Sequence, residues 1–183
     1  MADIHQTTLH LKGMSCASCV GRAEKALRAI GGVREVNINL ANETARVEFA
    51  APVTSLDLAA AVRTVGYPAE QDTVTLIIEN MTCASCVRRV ETALAAGEGV
   101  VSASVNLATE TARVEFLSGV TTATDIAAIA STAGYPAHAQ TMNTPSQSER
   151  KSNEIRLLGA ATLLAAILAL PVFAIEMGGH MIP

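Results

Sequence analysis

The chain has 183 residues, half of them hydrophobic but only 3% aromatic, with a formal net charge of −4. The negative balance argues against nucleic acid as the main partner. Residues 1–72 carry seven basic and eight acidic side chains and residues 73–141 three and six, so a basic partner favours the second region, weakly. The start, Met1-Ala2-Asp3-Ile4-His5, lacks the basic stretch and apolar run of a signal peptide, and the expectation is a reducing cytoplasm.

Thr7, Leu9 and Leu11 alternate as a strand does. The segment Met14-Ser15-Cys16-Ala17-Ser18-Cys19 follows. Val20, Ala23, Leu27 and Ile30 then form one helical stripe that ends at Gly31-Gly32. Val36, Ile38 and Leu40 alternate, as do Ala45, Val47 and Phe49, and the short polar link Ala41-Asn42-Glu43 makes them a hairpin. Leu56, Ala59, Val62 and Val65 predict a second helix, and a short strand follows Gly66-Tyr67-Pro68. The order is βαββαβ, a split βαβ of ferredoxin-like type in the α+β class.

The pattern then repeats. Met81-Thr82-Cys83-Ala84-Ser85-Cys86 matches the first cysteine segment, Asn106 to Phe116 matches Asn39 to Phe49, and Gly134-Tyr135-Pro136-Ala137 matches Gly66-Tyr67-Pro68-Ala69. One residue is inserted between Phe116 and Gly134, as a surface loop tolerates. Val74-Leu76-Ile78 predict a strand and Val87, Val90 and Leu94 a helix. Val101–Leu107 with Ala112–Phe116 predict a hairpin and Asp125–Ala133 a second helix. Two domains are therefore expected, residues 1–72 and 73–141, with almost no linker between them. Each is near the lower size limit for a self-sufficient core.

Residues 142–153 are polar and unpatterned and read as a flexible linker. Residues 154–183 read as a transmembrane helix and its end, because Leu157 to Ile175 carries no formal charge and about 20 apolar residues span a bilayer. Arg150, Lys151 and Arg156 precede it with no Lys or Arg after it, which puts the N-terminal side in the cytoplasm.

All four cysteines, Cys16, Cys19, Cys83 and Cys86, lie in the two repeated segments. At a helix start, backbone N–H groups and the dipole favour thiolate. Ser15 and Thr82 have the side chains wanted at an N-cap. Two thiolates suit copper(I), which accepts low coordination. Zinc(II) wants four ligands, and neither segment contains an Asp, Glu or His. A thioredoxin-like redox pair and one four-cysteine zinc site shared by the copies stay open at this point.

Gly13 to Cys19 and Asn80 to Cys86 resemble the heavy-metal-associated domain family. Tandem copies, a polar linker and a membrane helix resemble the N-terminus of a copper(I)-exporting P-type ATPase, and Leu170-Pro171-Val172-Phe173 with Glu176 to His180 is similar to that family's first membrane helix. The resemblance implies that Cys16, Cys19, Cys83 and Cys86 are the metal ligands, with one copper(I) per copy. It implies that Met14 and Met81 pack inward and that Tyr67 and Tyr135 face the metal loop. Ser15 and Thr82 stand where the zinc and cadmium branch often carries acidic residues, which favours copper(I), with mercury(II) the other thiolate metal. The implied partners are a cytoplasmic copper chaperone, the membrane, and the nucleotide-binding and actuator domains of the ATPase. The implied location is the cell membrane with the N-terminal domains in the cytoplasm. The family's Asp-Lys-Thr-Gly-Thr and Cys-Pro-Cys motifs are not in this sequence, so the chain is expected to be non-catalytic alone. The rival is a free-standing, membrane-tethered copper or mercury buffer.

Overall fold

The computed structural model describes residues 4–140. In the first copy the elements are β1 (Ile4–His10), α1 (Ala17–Arg28), β2 (Val33–Asn39), β3 (Thr44–Ala50) and α2 (Ser55–Thr64). In the second they are β4 (Gln71–Ile78), α3 (Ala84–Ala95), β5 (Val100–Asn106), β6 (Thr111–Leu117), α4 (Ala123–Thr132) and β7 (Ala137–Ala139). The second copy is a complete antiparallel sheet in the order β5-β6-β4-β7. That order, with two helices, is the ferredoxin-like arrangement.

The first copy departs from it. Its sheet has three strands, β1-β3-β2, and the expected fourth strand is a single bridge between Leu11 and Ala69. Lys12 N–H donates to the Pro68 carbonyl and Glu70 N–H to that of His10, and there the pairing stops. The cause is the absence of a linker. Gln71 already pairs with Leu117 as the first residue of β4, so its backbone cannot also continue the first copy's sheet.

Alternation puts Ala45, Val47 and Phe49 of β3, and Ala112, Val114 and Phe116 of β6, into the two cores. The helices supply Ala23, Leu27, Leu58 and Val62 to one core and Val90, Leu94, Ile126 and Ala130 to the other. Each fully buried Leu contributes on the order of 1.5–3 kcal/mol relative to exposure. Two helical stripes differ from expectation. Cys19 rather than Val20 leads the buried face of α1, and Val20 is half-buried. In α2 the buried set is Ser55, Leu58 and Val62, while Leu56 is 39% exposed. The capping boxes decide the phase of α2 and α4. Thr54 and Thr122 each accept from the N–H three residues on, and Asp57 and Asp125 accept from the cap N–H in return.

The expected linker 142–153 and transmembrane segment Leu157–Ile175 lie outside the described residues. Among the described residues no helix is long and apolar enough to cross a membrane.

Candidate metal centre

Each cysteine segment connects the end of a strand, β1 or β4, to the start of a helix. The turn needs a positive φ just before the methionine. Gly13 supplies it in the first copy (φ +85°) and Asn80 in the second (φ +66°), Asn being the side chain that tolerates this region best. Met14 and Met81 are buried, as expected, and fasten the loops to the cores.

The helix N-caps are Cys16 and Cys83, and neither makes a side-chain capping bond. This corrects the expectation for Ser15 and Thr82, both exposed and one residue too early. The physical consequence is useful. With a cysteine at the cap, the positive end of each helix lies beside the sulfurs, where it favours thiolate. The Ser18 hydroxyl lies 3.0 Å from the Cys16 sulfur and the Ser85 hydroxyl 3.0 Å from that of Cys83.

In the second copy both thiols are free and their sulfurs are 2.7 Å apart. Cys83 is exposed and Cys86 half-buried. Hydrogen bonding from Cys83, then from the Tyr135 hydroxyl, then from the Thr82 N–H, holds the Cys86 thiol down to about 6 from its ordinary 9.0. The same bond pushes the Tyr135 hydroxyl up, because it keeps its proton for the sulfur. In the first copy Cys16 and Cys19 are joined as a disulfide with Cα atoms 5.2 Å apart. There the Arg22 guanidinium donates to the Tyr67 hydroxyl and sits 5.4 Å from the ring centroid. Arg22, exposed on α1, thus ties that helix to Tyr67.

Sequence reasoning also missed Glu43. The sequence places it in a hairpin turn, yet its carboxylate accepts the Met14 N–H at 3.1 Å and its carbonyl accepts the Leu11 N–H at 2.7 Å. The carbonyl of its counterpart Glu110 accepts from Ile78 at 2.9 Å. The signal was there in the repeated Asn-Leu-Ala-x-Glu-Thr. Asn39 and Asn106 fold that turn by accepting the N–H groups two and three residues on.

Among the described residues no group of three or more His, Cys, Asp and Glu side chains gathers. The two cysteine pairs are therefore not brought together, and each offers two sulfurs alone. His5 stacks on Phe49 and His138 is exposed on β7, both away from the thiols. A pair of sulfurs this close, one already inclined to thiolate, fits a soft two-coordinate ion and offers too few ligands for zinc.

The family model for the heavy-metal-associated domain matches residues 8–68 and 75–136. Copper-transporting ATPase 1 of Rhizobium meliloti (strain 1021) is 42% identical over 179 residues, covering 97% of this chain and 22% of that protein. The copper-exporting P-type ATPase of Staphylococcus aureus (strain Newman) is 34% identical over 173 residues, covering 94% of this chain and 21% of that one. The chain spans about a fifth of the length of these curated relatives. The water-soluble region of the P-type ATPase CopA from Bacillus subtilis is similar in structure, with a TM-score of 0.55 and 30% identity over 79% of this chain and 99% of that one. A solution structure of the N-terminal soluble domains of CopA from the same organism gives 0.51 and 32% over 76% and 96%.

Proposed function

Because this chain belongs to the heavy-metal-associated domain family, in two tandem copies, we propose that each copy binds one copper(I) ion through its two thiolates. We propose further that the chain is the cytoplasmic metal-binding region of a copper-exporting P-type ATPase anchored in the cell membrane. The observation that carries this reading is the isolated pair of sulfurs at a helix start, with Cys86 held near thiolate at neutral pH.

The exposed Cys83 is the first sulfur an incoming ion meets, and the half-buried Cys86 the second. An ion arriving on the thiols of a cytoplasmic chaperone passes by ligand exchange, through a species that shares sulfurs of both proteins. The buried Met14 and Met81 hold the loops still rather than ligating. Tyr135 steadies the second sulfur by its hydrogen bond. Binding displaces the thiol protons that remain, so affinity rises with pH. In the first copy a dithiol reductant must first give two electrons and two protons to the Cys16–Cys19 disulfide, leaving two thiols there and becoming a disulfide itself.

The test is an anaerobic copper(I) titration of the reduced chain against a chromophoric chelator. Two equivalents are expected, falling to one when Cys16 and Cys19 are both changed to Ser, and to one when Cys83 and Cys86 are. Loss of all binding in either double variant overturns the reading in favour of one shared site.

A further inference from the structure

The one residue by which the second copy exceeds the first falls between Phe116 and the Thr122 cap, and the segment it lengthens does not lie on open surface. Leu117 is fully buried within the first copy's core cluster, which also holds Leu9 and Leu58, and Val120 packs against the same cluster. The Ser118 N–H donates to the Glu70 carbonyl at 3.0 Å and its hydroxyl to Asp72 at 2.7 Å. Gly119 (φ +86°) rests so close to β1 that a Cβ there would stand 2.7 Å from the Thr8 carbonyl and 2.6 Å from the His10 ring.

This is the edge that the first copy fails to cover itself. In the second copy β7 closes the outer side of β4, and Gln140 N–H donates to the Thr75 carbonyl. Thr8 is the counterpart of Thr75, and its edge is approached instead by Gly119. The dependence does not run both ways. The second core and the side chains packed against it all come from residues 74–139.

We infer that Leu117–Val120 is a clamp that completes the first copy, which lacks a fourth strand and takes Leu117 of the second copy into its core. The first copy therefore folds only on a folded second copy, while the second folds alone. The interaction stabilises both when both are folded, as linkage requires. The asymmetry lies in what each retains once its partner has unfolded.

The order of unfolding tests this in the full, reduced chain, with native amide signals of each copy followed by NMR through a urea titration. Leu58→Ala, in the first core, is expected to unfold the first copy at lower urea and leave the second copy's signals standing. Leu117→Ala is expected to do the same, with the folded-to-unfolded ratio of the first copy falling roughly 30-fold or more. Leu94→Ala, in the second core, is expected to abolish both sets of signals together. The milder Ile126→Val gives the same simultaneous loss at higher urea, and so keeps the test valid if Leu94→Ala does not fold. First-copy signals that outlast those of the second in Ile126→Val or Leu94→Ala overturn the inference. So does a Leu117→Ala chain in which the second copy's midpoint falls as far as the first's.

Discussion

Glu43 lends itself to a decomposition, because two opposing effects meet on one residue. Its carboxylate accepts the Met14 N–H at 3.1 Å in a half-buried setting, and its backbone sits at φ +49°. A hydrogen bond to a charged group contributes about 1.5–3 kcal/mol net. The left-handed backbone costs a non-glycine residue roughly 1–2 kcal/mol. Glu43→Ala loses the bond and keeps the strain, so the first copy should lose about 2 kcal/mol. Glu43→Gly loses the same bond but relieves the strain, and should end about 1 kcal/mol above Glu43→Ala. Glu43→Gln keeps a neutral acceptor and should also stand above Glu43→Ala. Urea denaturation of the three variants, followed by the first copy's native NMR signals, measures these differences. Copper(I) release from the first site should quicken in the order of lost stability, since Met14 anchors the cysteine loop. A Glu43→Ala loss under about 0.5 kcal/mol, the range of an ordinary surface substitution, would refute the reasoning. So would a Glu43→Gly chain no more stable than Glu43→Ala.

In metal-free protein with Cys16 and Cys19 both changed to Ser, the alkylation rate of Cys86 by iodoacetamide should rise with an inflexion near pH 6, not near 9. Tyr135→Phe should move that inflexion upward, and an unmoved profile would mean the hydroxyl does not reach the sulfur. The folded state favours the thiolate, so the stability Cys86 contributes is full above pH 9 and is lost as pH falls through about 6. The second copy's urea midpoint should follow that sign. Thr54→Ala and Thr122→Ala each remove one side of a capping box and should cost about 1 kcal/mol by denaturation. Equal loss from exposed threonines outside the caps, such as Thr132, would show that the boxes contribute nothing special.

The strands were legible because their side chains alternate between a buried and a wet face. Ala45, Val47 and Phe49, and their counterparts Ala112, Val114 and Phe116, all point where that alternation puts them. The helices were legible in place but less in phase. Leu56 looked like a core residue because three more apolar residues follow it at helical spacing, yet the capping box turns it outward and brings Leu58 in. The site was legible as four cysteines. Its support was not, since Glu43, Arg22 and Tyr135 act across 29 to 49 positions of sequence on partners that only the fold brings near. The truncated strand of the first copy was hidden for another reason. Residues 69–71 follow Gly66-Tyr67-Pro68 as β7 follows Gly134-Tyr135-Pro136, and only competition for the Gln71 backbone shows which sheet takes them.

The lengthened loop also bears on assembly. Two identical units joined head to tail present, at every junction, the same donor surface and the same acceptor surface. Such a contact repeats without closing, and open filaments are its natural product. Among the described residues the acceptor exists once, on the edge of β1. In the second copy the corresponding edge is sealed by β7, and Ile77 replaces the His10 against which Gly119 rests. A duplication that left both units alike would have built an adhesive end into the protein. The extra residue in one copy, and the missing strand in the other, make the contact between these two copies one-sided.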